Sequence, residues 1–463
     1  MFDNLFVAKK RLYPQSTKGK FRSLKWLLNA IFITIYLATP FIRFDRGESL
    51  PNQAILFDFS SSKIYFFFVE IWPQEIYYLA GILVIAAVTL FFITSLFGRI
   101  WCGYACFQTV WTDIFIALER IFQGDRNSRI ILDRKNNFAK FWRKLLTHFS
   151  WIMVSLITGY GFVCYFNDSI SLTQNLLQAK INLTILGWII GIGSMTYVMA
   201  GFAREHVCTY MCPYSRFQSA MFDKNTLIIT YDEKRGEPRQ KWDGNKEKTA
   251  SHCIDCKQCV VVCPTGIDIR NGLQMECIAC GLCVDACDNV MEKIGMPKGL
   301  IRYDTLANLE DPKPQNKFRV LKPRTFYYAA ILTVVCSIML YNLMSKTQLE
   351  TSIIPDRNPL FVLLSDGSIR NGYTLKITNK THEEKTFIIS LEQPSSAEFK
   401  IQNNELENEI IVKSDSVKSV KVFVTISQEN LNKADGMRFI DFAIRDKNSE
   451  LEQKSRAVFV SSD

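Results

Sequence analysis

Eight cysteines stand in two matching groups near the middle of this chain. They read Cys253-x-x-Cys256-x-x-Cys259-x-x-x-Cys263-Pro264, then Cys277-x-x-Cys280-x-x-Cys283-x-x-x-Cys287, the second group 24 residues after the first. Each iron of a cubane cluster needs one thiolate, and three cysteines at two-residue intervals wrap one cluster in a single loop. In two-cluster ferredoxins the fourth ligand crosses over from the other group. The spacing therefore assigns Cys253, Cys256, Cys259 and Cys287 to one [4Fe–4S] cluster, and Cys277, Cys280, Cys283 and Cys263 to a second. Structural zinc uses two separated cysteine pairs, a different pattern. Asp288 follows the second group where Pro264 follows the first, a difference that removes no ligand.

Four more cysteines form two pairs, Cys102-Gly-Tyr-Ala-Cys106 and Cys208-Thr-Tyr-Met-Cys212-Pro213. Residues four apart on a helix share a face, so each pair is expected to present two sulfurs to one ligand. Soft thiolates, with Met211 between them and His206 nearby, suit Cu(I); a redox-active dithiol is the alternative chemistry. Cys164 and Cys336 are solitary within apolar stretches and are read as packing residues. All fourteen cysteines lie between positions 102 and 336, which favours metal or redox work in a reducing compartment over a disulfide scaffold. Of the four histidines, His148, His206, His252 and His382, none is expected inside a membrane span, which argues against a transmembrane bis-histidine haem. No P-loop or dinucleotide fingerprint is present, so electrons must come from a partner protein or a small reductant.

Apolar blocks must position these cysteines. Five stretches, approximately 26–42, 76–97, 149–166, 183–203 and 326–344, have the length and composition to cross a hydrocarbon layer, which takes about 20 residues. The net charge of +10 follows their alternation: 1–25 holds seven Lys/Arg against one acid, 98–144 nine against four, but 41–75 three against five. That is the positive-inside pattern of a membrane protein and gives no support to nucleic-acid binding. It places the N-terminus, 98–148 and 204–325 in the cytoplasm, with 43–75, 167–182 and everything after the fifth span outside. The basic leader is long and no small-residue cleavage site follows it, so the first span is read as an uncleaved anchor. The short run 64–72 is expected to be interfacial or re-entrant.

Beyond the fifth span, short alternating runs at 373–378, 386–391, 409–413, 419–426, 437–444 and 456–460 predict an antiparallel β-sandwich, with Asp366-Gly367 and Asn371-Gly372 as turns. The expected architecture is multi-domain. A four-span helical bundle with the first cysteine pair occupies 1–203. A cytoplasmic segment, 204–325, carries the second pair and a two-cluster bacterial-type ferredoxin domain at about 245–300. A fifth helix, 326–345, leads to the sandwich at 346–463.

Taken together, GRIWCGYACFQTVWTDIF (98–115), REHVCTYMCPYSRFQSAMFDKNTLI (204–228), the double quartet through VMEKIGMPKGLIRYDT (290–305) and PDRNPLFVLLSDGSIRNGYTLKITN (355–379) resemble the CcoG family, also called FixG or RdxA. The resemblance implies a bacterial inner-membrane iron–sulfur protein. It would reduce Cu(II) to Cu(I) in the cytoplasm, feeding a copper-export ATPase and the assembly factors of cytochrome c oxidase, with an immunoglobulin-like periplasmic tail. It implies copper handling at Cys102, Cys106, Cys208 and Cys212, although Phe107 stands where the family has proline. Two other readings stay open on the residues alone: a NapH-type quinol dehydrogenase, and a non-enzymatic oxidase-assembly scaffold.

Overall fold

The computed structural model describes residues 12–47, 50–242, 251–310, 320–347, 349–381, 383–393, 397–402, 408–427, 439–449 and 452–460. They fall into two compact units, one within 1–46 and 51–339 and the other within 47–50 and 340–463.

Five helices, Lys20–Phe41, Pro73–Phe97, Phe138–Val163, Leu183–Met211 and Pro323–Met344, are long and apolar enough to cross a membrane. They mark the chain as a membrane protein. Several run past the expected boundaries, for identifiable reasons. The first begins at Lys20, where a polar turn is paid for by ion pairing: Arg22 and Lys25 are buried against Asp113, at 2.9 and 3.7 Å. The third begins at Phe138, where the Asn137 side chain caps it by accepting from the Lys140 amide. His148 consequently lies inside that helix, and His206 inside the fourth helical run, correcting the expectation that no histidine does. His148 Nδ1 is 2.9 Å from the Tyr197 hydroxyl, and its ring stacks on Phe202. His252 accepts from Arg235 Nε at 3.2 Å, and His382 lies outside the described residues.

The fourth run is α-helical over Leu183–Val198 and then widens into π turns at Met199–Ala203 and Val207–Met211 on either side of Arg204–His206. Arg204 takes a positive φ of 35°. Its guanidinium joins Arg129 on the fully buried Glu119, with Arg204 Nη2 2.8 Å from Glu119 Oε1. These pairs tie the fourth run to the amphipathic Phe107–Gln123 helix, whose Phe115 stacks on Trp151 of the third helix.

Residues 64–72 are not a re-entrant segment. They supply β2 (Lys63–Phe66) and β3 (Val69–Ile71), which with β1 (Ile55–Asp58) form an antiparallel sheet. Extended backbone needs paired amides, and these strands pair with each other before Arg46 closes the fold by donating to four carbonyls, those of Pro51, Gln53, Ala54 and Phe67. Two further strands, β4 (Ile228–Tyr231) and β5 (Ile301–Asp304), pair antiparallel and clamp the cysteine-rich segment between them.

The second unit is the expected sandwich. One sheet orders β10 (Glu398–Ile401), β12 (Ser416–Ile426), β8 (Ile369–Asn379) and β6 (Leu349–Pro355), with β7 (Val362–Leu363) also on β8. The other orders β11 (Glu409–Val412), β9 (Lys385–Gln393), β13 (Phe439–Asp446) and β14 (Glu452–Val458). Ile377, Val422 and Val424 of one sheet and Ile389, Phe442 and Ile444 of the other form its core, as alternation requires. Asp366-Gly367 is a turn, but Asn371-Gly372 lies inside β8, where Asn371 is buried.

Close approach of the third and fourth helices depends on Gly159, since a Cβ there would stand 2.2 Å from the Ile189 carbonyl. Gly159→Val should therefore destabilise the helical unit by about 1–3 kcal/mol, the usual cost of overpacking. In detergent this should appear as a lowered unfolding temperature of that unit, with the tail's transition unmoved.

Candidate iron–sulfur and thiol site

The cysteine repeat is also a backbone repeat. Asp255 and Lys257, flanking Cys256, have φ of 48° and 56°, and the equivalent Ala279 and Gly281, flanking Cys280, have φ of 52° and 74°. Each pair of left-handed residues curls its loop so that three cysteines converge. Gly281 is required twice over, because a Cβ would also meet Phe21 at 2.7 Å.

The last cysteine of each group sits among the first three of the other. Cys287 is acted on by Cys259, Cys256 and Cys253, while Cys277 and Cys283 are acted on by Cys280 and Cys263. Cys259, Cys263, Cys277, Cys280 and Cys283 line a small cavity together with isoleucines. Burial pushes the Cys259, Cys277 and Cys287 thiols up to about 12, and raises Cys280 and Cys283 as well. Thiols held neutral in an apolar cradle are suited to a group that brings its own positive charge. Among the described residues no three His, Cys, Asp or Glu side chains stand close enough to hold a single ion. A cubane interposes iron and sulfide between its ligands and so needs them farther apart. The donor set fits clusters.

The cluster segment is docked on the membrane-edge elements. Asp285, between Cys283 and Cys287, accepts from the Phe21 and Arg22 amides at 3.2 and 2.8 Å, capping the first helix. Tyr104 donates to the Cys280 carbonyl at 3.1 Å and Tyr303 to the Ala279 carbonyl at 2.6 Å. Gly103 permits the contact, since a Cβ there would lie 2.7 Å from the Ile278 carbonyl.

The four remaining cysteines of the candidate site come together in an arrangement different from the one expected. The helix Ile100–Tyr104 ends after Cys102, and Cys106 is the extended N-cap of Phe107–Gln123. Likewise Cys208 lies in the second π turn, and Cys212 is the extended N-cap of Pro213–Ala220. Neither pair therefore shares one helical face; each straddles a break. Cys102 nonetheless lies within electrostatic reach of Cys106, Cys208, Cys212 and Arg99, although no three of these thiols stand close enough to hold one ion. Burial pushes the Cys102 thiol up to about 12. Its Sγ stands 3.2 Å from Gln218 Oε1, and its side chain packs against the apolar group of Ile278 and Cys280. Met211 and His206 are exposed. Cys208, Glu205 and Thr109 line a small cavity that is completed by Pro264, Thr265 and Ile278 of the cluster segment. Cys164 is fully buried as expected, but Cys336 is exposed on its helix and does not pack within the protein.

Sequence reasoning passed over Arg99, Gly103, Tyr104, Asp285 and Tyr303. Arg99, Gly103 and Tyr104 lie in or beside the first cysteine pair, and that proximity was the available signal.

Three family models match the chain. A 4Fe-4S binding domain covers residues 79–124, a 4Fe-4S dicluster domain covers 203–306, and the IG-like fold at the C-terminus of FixG covers 339–462. Nitrogen fixation protein FixG of Rhizobium meliloti is 40% identical over 468 residues, 93% of this chain and 89% of that protein. Protein RdxA of Cereibacter sphaeroides is 42% identical over 399 residues, 85% and 84% of the two chains. A crystal structure of a FixG-related protein from Vibrio parahaemolyticus matches 25% of this chain and 97% of its own, with 20% identity and a TM-score of 0.21. On the two long alignments, the chain belongs to the FixG/RdxA family of iron–sulfur electron-transfer proteins.

Proposed function

We propose that this protein reduces Cu(II) to Cu(I) at the thiols of Cys102, Cys106, Cys208 and Cys212, for delivery to a copper-export ATPase and cytochrome c oxidase assembly. The observation that carries this reading is the packing of Cys102 against the apolar group that includes Ile278 and Cys280, which puts that thiol in contact with the cluster segment. Cys253, Cys256, Cys259 and Cys287 would hold one [4Fe–4S] cluster and Cys263, Cys277, Cys280 and Cys283 the other. Bound there, the clusters supply one-electron transfer, which matches the single electron that each Cu(II) takes up. Thiolates favour Cu(I) over Cu(II), so the four sulfurs add driving force to the reduction. Docking by Asp285 and Tyr104 keeps the two sulfur sets at a fixed separation. The N-terminus and cluster segment are assigned to the cytoplasm, where a reduced carrier protein would be the electron donor, and the tail to the periplasm.

Crossed ligation makes a spectroscopic prediction. Cys287→Ser should erase the same electron paramagnetic resonance signal as Cys253→Ser, and Cys263→Ser the same signal as Cys277→Ser. Pairing by sequence group instead would refute the assignment.

The double variant Cys208→Ser/Cys212→Ser should lose Cu(II) reduction at least tenfold while retaining wild-type iron and cluster absorption. Undiminished turnover with a cuprous-specific chelator as readout would remove the thiol pairs from the mechanism. Quinol-dependent cluster reduction in membranes without copper turnover would favour a quinol dehydrogenase.

A further inference from the structure

Arg99 is the residue where the two sulfur sets meet. It follows Gly98, whose φ of 58° ends the second membrane helix, and only 4% of its surface is exposed. One guanidinium nitrogen donates to the Met275 carbonyl, two residues before Cys277, and another to the Ser215 carbonyl, three residues after Cys212. The ionisable groups acting on it include Cys102, Cys277, Cys208 and Glu276. A single buried cation thus touches the strand entering the second cluster loop and the segment leaving the second cysteine pair.

The other cluster loop has an arginine too, but a neutralised one. Arg270, which acts on Cys259, is bound by Asp255 at 2.5 Å and Asp268 at 2.7 Å, and Asp288 acts on Cys287. Around the second loop Arg99 is held by carbonyl oxygens instead of carboxylates, with Glu276 the acid acting on it, and Lys25 acts on Cys280 alongside Asp113. Reduction adds negative charge to a cluster, and a nearby buried cation favours the reduced form. The middle cysteines of the two loops also differ in access, Cys256 being exposed and Cys280 buried against Tyr104.

We infer that Arg99 is a positioning residue that sets the reduction potential of the cluster on Cys263, Cys277, Cys280 and Cys283 above that of its twin, so that the transferred electron rests beside Cys102 and Cys208. This rests on the ligand assignment proposed above. The first cluster, with its exposed Cys256, is then the entry side, and the second is the exit side.

The test is a potentiometric titration of the purified full-length chain, loaded with iron, with the two cluster signals followed separately. Arg99→Met should lower the one-electron reduction equilibrium of the higher-potential cluster at least tenfold, about 59 mV for a one-electron couple, while moving the other much less. Arg99→Lys should recover most of that loss, and Glu276→Gln should shift the same cluster in the positive direction. Unmoved midpoints in Arg99→Met at full iron content, or a negative shift in Glu276→Gln, would overturn the inference. Should Arg99→Met lose iron, Glu276→Gln alone decides. Absence of Cu(II) reduction in the unsubstituted protein would sink the proposed function, yet leave these midpoints free to support or refute the role of Arg99.

Discussion

A sulfur anion withdrawn from water needs positive charge beside it, and the first unit of this protein is arranged around that requirement. Its thiols lie in two adjoining sets, and burial is the main cause that pushes those of Cys102, Cys259, Cys277 and Cys287 up to about 12. Iron can supply the missing charge in the cluster set. The rest of the unit meets the same constraint with protein cations. Burial opposes ionisation of Asp113, yet Lys25 and Arg22 hold its carboxyl below the ordinary range. Glu119 is enclosed by Arg129 and Arg204. Such pairs repay their desolvation only with good geometry, and removing one partner typically costs 3–5 kcal/mol. They therefore hold the first helix, the Phe107–Gln123 helix and the fourth helical run in one arrangement, and these are the elements from which the cysteine pairs project.

The two cysteine pairs solve one steric problem in the same way. An unbroken helix would carry both sulfurs of a pair along its own side, leaving the opposite pair to reach them. Here the helix ends between the cysteines, and Cys106 and Cys212 become the extended N-caps of new helices. The π turns around Arg204 belong to the same device. A widened turn leaves backbone groups unsatisfied by the regular ladder, and such turns recur at functional sites. Here Gln108 donates to the Met199 carbonyl at 2.8 Å, supporting the break from the neighbouring helix.

The double quartet, five apolar spans and the alternating tail were legible from local pattern, because metal ligation and burial each impose a short period on the residues that serve them. What escaped was set by partners distant in sequence. Residues 64–72 are apolar enough to suggest a buried segment, and only pairing with 55–58 and closure by Arg46 make them a sheet. Asn371-Gly372 has the composition of a turn, but a Cβ at 372 would meet Asp356 at 2.3 Å, so the glycine serves strand packing. The helix breaks at both cysteine pairs leave a trace only in Pro213, and the first pair has Phe107 in the matching place. Arg99 looked like one of nine basic residues in a basic loop; its burial between two carbonyls comes from tertiary structure alone.

The 24-residue repeat is most informative where its halves diverge. Both loops need left-handed backbone after their second cysteine, and either lysine or glycine can provide it. At 257 the chain uses lysine, because that position is exposed and a side chain there meets solvent. At 281 it uses glycine, because the ring of Phe21 on the first helix leaves no room for Cβ. The same internal geometry has thus been fitted to water on one side and to the membrane-edge helices on the other. A symmetric pair of cluster loops is thus set in unlike surroundings: Cys256 of the first is exposed, while the second lies under Phe21, Gly103 and Tyr104.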